Sequence, residues 1–177
     1  DTEDLIREIR RRLEESVREN KELLDRLRER LEESIKRNED LLKRHRENSK
    51  RIADRVRSDE ELERVKKEAE RLHKESRDKD RDLRKKVEDL ARRSEELDKE
   101  LRKRLKDLER ELREAKKTRE LVKEMIDRLR DLLRRHKEES KRLVEEVKKL
   151  LDRHREESER LVRELDKMNK DLEDRAR

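Results

Sequence analysis

The chain runs to 177 residues, of which 63% are charged and 27% hydrophobic, with no Gly, Pro, Cys, Phe, Trp or Tyr. Without cysteine there is no disulfide and no thiol chemistry, and without aromatic rings nothing stacks on a nucleic-acid base. The 59 Lys and Arg outnumber the 53 Asp and Glu, for a net charge of +6. The two signs alternate every one to three positions, so no clean basic stripe forms and nucleic acid is not an expected partner.

No apolar run reaches the roughly 18 residues of a membrane span, so no membrane partner is expected either. The opening residues, DTEDLIREIRRRLEES, lack the apolar core of a signal peptide, and nothing in the sequence assigns a location. High polarity alone would suggest disorder. The apolar residues, however, are almost all Leu, Ile and Val at helical spacing, which argues for ordered helices.

Asp1 and Thr2 offer a helix start before Glu3 and Asp4, where the helix dipole favours negative charge. From there a stripe runs Ile6, Ile9, Leu13, Val17, Asn20, Leu24, Leu27, Leu31, Ile35, Asn38, Leu42, His45, Ser49, Ile52, Val56. Its steps of three and four predict one helix over residues 2–57. LEESVRENKELLDRLRER at Leu13 is echoed 18 residues later by LEESIKRNEDLLKRHREN at Leu31. Eighteen residues are five turns of an unstrained α-helix, so this repeat predicts a nearly straight seam instead of a left-handed supercoil.

Ser58-Asp59-Glu60-Glu61 fits a capping box and opens a second stripe, predicted as a helix over 59–116. Its thinnest part is Ser76 to Lys86. The helix is expected to continue through it, because Val65, Ser76 and Asp80 map by 18 onto Leu83, Ser94 and Asp98. Thr118 opens the third helix, predicted over 118–175, with TRELVKEMI paralleling TEDLIREI at Thr2. Here the repeat is plainest: LLRRHKEESKRLVEEVKK at Leu132 is followed without a gap by LLDRHREESERLVRELDK at Leu150. Short connections make neighbouring helices antiparallel. The expectation is a single all-α domain over 1–177, a long, nearly straight up-down-up three-helix bundle.

Under that topology, heights can be assigned. Facing residue numbers add to about 117 for helices 1 and 2 and about 235 for helices 2 and 3, with helices 1 and 3 offset by about 116. Asn20, Ser94, Asp98, His136 and Ser140 then fall within about one turn of each other. Asn38, Ser76, Asp80, His154 and Ser158 do the same one repeat away. Buried polar groups are costly unless paired, and Asn, Asp, Ser and His together supply donors and acceptors. Two structural polar layers are therefore expected inside the core. A third level sets His45 against His73 across the first turn. Two histidines fall short of the three or four ligands of a zinc site, so no metal or cofactor is expected. His136 with Asp98 reads as a core hydrogen-bonded pair and not as part of a triad, because nothing forms an oxyanion hole.

The 18-residue seam, the Leu/Ile/Val core, the Glu/Lys/Arg surface and the Ser/Asn/His/Asp layers resemble de novo designed helical bundles with buried hydrogen-bond networks. That resemblance implies a scaffold or assembly module with no natural biochemical activity, no substrate and no enzymatic role. A natural coiled-coil rod segment of spectrin-like or cytoskeletal type is the rival, but such repeats carry core Trp and irregular spacing. No partner is required by this pattern, and a self-contained monomer is expected. Adjacent apolar pairs on helices 1 and 3 (Leu23 with Leu24, Leu41 with Leu42, Leu132 with Leu133, Leu150 with Leu151) leave room for self-association into a homo-oligomer.

Overall fold

Each stripe becomes one α-helix: α1 (Thr2–Ala53), α2 (Asp59–Glu114) and α3 (Arg119–Ala176). The computed structural model describes residues 2–55, 59–114 and 119–176, and its fold is an all-α three-helix bundle. The expected capping box at Ser58 and the helix start at Thr118 lie outside the described residues.

Local chemistry accounts for the helix ends. Glu3 and Asp4 occupy the first turn of α1 and Lys50 and Arg51 its last, so both ends complement the dipole. The helix stops at Ala53, short of the expected 57. There the Asp54 amide still reaches the Lys50 carbonyl at 3.1 Å, while the Arg55 amide reaches Ile52 at 3.0 Å. The last turn thus tightens from an i→i+4 to an i→i+3 bond. No described residue has positive φ, so this exit uses no left-handed residue. The thin stretch of α2 is helical throughout, with Ser76, Asp80 and Leu83 all buried.

Contacts divide the chain into two compact units, each holding a piece of every helix. The first is Asp1–Leu27 with Val87–Lys148; the second is Arg28–Lys86 with Lys149–Arg177. In the first unit Ile9, Leu13 and Val17 of α1 pack with Leu101 and Leu105 of α2 and Ile126 and Leu129 of α3. Ile6, Leu112 and Met125 form a second cluster there. In the second unit Leu42, Leu72 and Leu165 form one core cluster, flanked by Ala69, Leu161 and Met168. Each fully buried Leu or Ile contributes about 1.5–3 kcal/mol of transfer free energy.

Ion pairs between helices record the direction of each. In the first unit Arg113 meets Glu3 and Arg102 grips Glu14 with two bonds of 3.2 and 3.0 Å. In the second, Arg84 grips Glu32 at 2.9 and 3.1 Å and Arg46 meets Glu70. As α1 advances, α2 retreats, so the two are antiparallel. The offset of α1 to α3 differs from the expected one. His45 reaches Leu165 and Ser49 reaches Asn169, both across 120 residues, against the 116 expected. That is one helical turn. In the second unit it moves Asn38 from the level of His154 to that of Ser158.

Candidate functional site

Ser, Asn, Asp and His occupy stripe positions, so the helices that bury the leucines bury them too. In the first unit Ser94, Asp98, His136 and Ser140 are buried and Asn20 is half-buried. The His136 Nε2–H donates to Asp98 Oδ1 at 2.7 Å, joining α3 to α2. Asn20 Nδ2 has no partner, and neither does Ser140 Oγ.

The second unit repeats the central pair and adds another. His154 Nε2–H donates to Asp80 Oδ1 at 2.6 Å, and Asn38 Nδ2 donates to Ser76 Oγ at 3.1 Å. These four residues are all buried, and Ser158 is half-buried. A cavity of about 40 Å³ adjoins them, lined in part by Ser76, Asp80, His154 and Ser158. That volume accommodates a water molecule or two and no organic substrate.

The third polar level is also in the second unit. The rings of His45 and His73 lie with centroids 5.8 Å apart and planes tilted by 54°. His45 Nε2–H donates to the Leu165 carbonyl at 2.7 Å, and Ser49 Oγ donates to Asn169 Oδ1 at 2.7 Å. Burial pushes the His45 pKa down, while the Leu165 carbonyl and the Asp166 charge push it partly back up. Burial also lowers His73, helped by the positive charges of Arg46, His45 and Arg77 and opposed by Glu70.

Two polar residues escaped the sequence reading. Glu109 is buried, its side chain 4% exposed, and accepts a hydrogen bond from the Arg10 guanidinium, which is itself 51% exposed. A signal for it existed: Glu109 follows His73 and Ala91 at steps of 18, and all three are buried. Asn169, likewise, follows Leu133 and Leu151 at steps of 18, which places it on the side of α3 that meets α1.

Chemically, these residues form separate buried contacts between helices. The Nδ1 atoms of His45, His136 and His154 are buried without a hydrogen-bond partner. Among the described residues no group of three or more His, Asp or Glu is placed to hold a metal ion, and no helix is long and apolar enough to cross a membrane. Comparison with protein-family models, with curated proteins and with solved structures gives no match.

Proposed function

We propose that the chain is a structural module of the de novo designed helical-bundle kind, without catalytic activity, whose buried polar contacts select how its helices pair. The observation that carries this reading is a repeated one. His136 with Asp98 and His154 with Asp80 are the same α3–α2 contact, 18 residues apart in both helices. A leucine seam is indifferent to small slips, because one apolar side chain replaces another at little cost. A His–Asp pair is not indifferent. Any slip that parts it leaves a buried ring and a buried carboxyl group without partners, at about 1–3 kcal/mol for each group. Polar groups kept inside an apolar core for this purpose trade stability for a defined arrangement.

The experiment compares the parent with a chain in which Asp80, Asp98, His136 and His154 are all replaced by Leu. The expected result is equal or higher thermal stability together with a loss of uniqueness, read as broadened amide resonances or mixed species in light scattering. Sharp spectra and a single species at parental mass would show that the pairs select nothing.

A further inference from the structure

We infer that the α1–α3 seam is the surface on which a second copy of this chain docks, with α1 of one copy beside α3 of the other. This goes beyond the pairing role of the His–Asp contacts and does not depend on it, since it concerns the outside of the bundle.

The seam is apolar where the α1–α2 side is charged. Glu14 and Glu32 point from α1 at Arg102 and Arg84 of α2. Leu23 and Leu41 follow them by nine residues each, two and a half turns, and so lie on the opposite side of α1. Leu23 is half-buried and Leu41 is 45% exposed. On α3, Leu133 and Leu151 are in line with Asn169, which reaches Ser49 of α1, and both are only half-buried. Each unit therefore presents leucines from both helices along one seam.

A contact between identical chains must be self-complementary, because the same patch meets itself. A two-fold axis along the helices sets α1 of one copy against α3 of the other at equal height. Charge fits that operation in each unit. In the first unit α1 borders the seam with Glu15 and Glu19 while α3 borders it with Lys137 and Lys141; Arg12 and Arg26 are exceptions. In the second unit most of the signs are exchanged, with Arg37 and Arg44 on α1 facing Glu159 and Asp166 on α3, while Glu33 and Arg155 keep the signs of Glu15 and Lys137, and Arg155 also pairs with Glu159. Acid meets base at most of these positions on both sides of the axis, whereas a seam of one sign would repel its copy.

Sedimentation equilibrium of the full chain at about 1–100 µM tests this. The expected mass is twice 22.1 kDa, and Leu23→Glu/Leu41→Glu is expected to return it to the monomer with helical circular dichroism retained. Arrangement is tested separately in the otherwise cysteine-free chain. Oxidising an equimolar mixture of Leu41→Cys and Val162→Cys chains is expected to give mainly the mixed disulfide. A parent that stays at 22.1 kDa throughout the range overturns the inference, as does a variant that remains dimeric or a mixture that yields mainly Leu41→Cys homodimer.

Discussion

His154 donates to Asp80 at 2.6 Å with both side chains almost wholly buried. A contact of this kind contributes little net stability while intact, because desolvation of both partners offsets their attraction, yet it is costly to break from one side. His154→Leu alone is expected to lower stability by about 3 kcal/mol, leaving the Asp80 carboxyl group without its donor. Adding Asp80→Leu should restore most of that loss. Urea unfolding of the two single variants and the double closes the cycle, and additive losses would show that the two side chains do not depend on each other.

Arg10 and Glu109 form an unequal pair, one end in water and the other inside. Arg10→Gln is expected to destabilise by about 3 kcal/mol, because the buried Glu109 carboxylate loses its counter-charge. Glu109→Leu should be neutral or stabilising, since Arg10 is half exposed and stays hydrated by itself. Thermal melts of both variants make the comparison, which fails if Glu109→Leu is the more damaging of the two.

The ion pairs at the surface should behave differently. Arg84 with Glu32 and Arg102 with Glu14 are well-formed forks between exposed side chains. Solvent screening limits each to about 1 kcal/mol or less. Glu32→Gln and Glu14→Gln are expected to shift the unfolding midpoint only slightly, and by still less in 0.5 M salt. A loss as large as that of His154→Leu would contradict the distinction between buried and exposed pairs.

Acidity should act on the second unit through His45 and His73. Both have folded pKa values below the ordinary value of 6.5, burial being the main cause. Above 6.5 the rings are neutral in the folded and unfolded chains alike, and their contribution to stability is complete. As the pH falls from 6.5 towards the folded values, the unfolded chain binds protons that the folded chain refuses, and stability is lost. Urea midpoints measured between pH 7.5 and 5 should therefore decline, and His45→Gln/His73→Leu should flatten that decline. An unchanged slope in the variant would assign it to other groups.

Number, extent and inward face of the helices were legible in the sequence, because they follow from local periodicity. Ile6, Leu13, Leu24, Leu31 and Leu42 recur every three or four residues, and burying that stripe is the only way to remove it from water. The 18-residue repeat also carried the polar positions into the core: Asp98 and His136 in one unit, Asp80 and His154 in the other. What the sequence left open was the α1–α3 register. Sliding α3 by four residues turns its stripe by only about 40°, so offsets of 116 and 120 both keep the leucines inside. The similar openings at Thr2 and Thr118 favoured the first. Tertiary packing selected the second, seating His45 on the Leu165 carbonyl and Ser49 on Asn169. In the second unit that single turn set Asn38 level with Ser158 instead of His154, a consequence no local pattern encodes, because register is decided by which side chains meet across helices far apart in the chain.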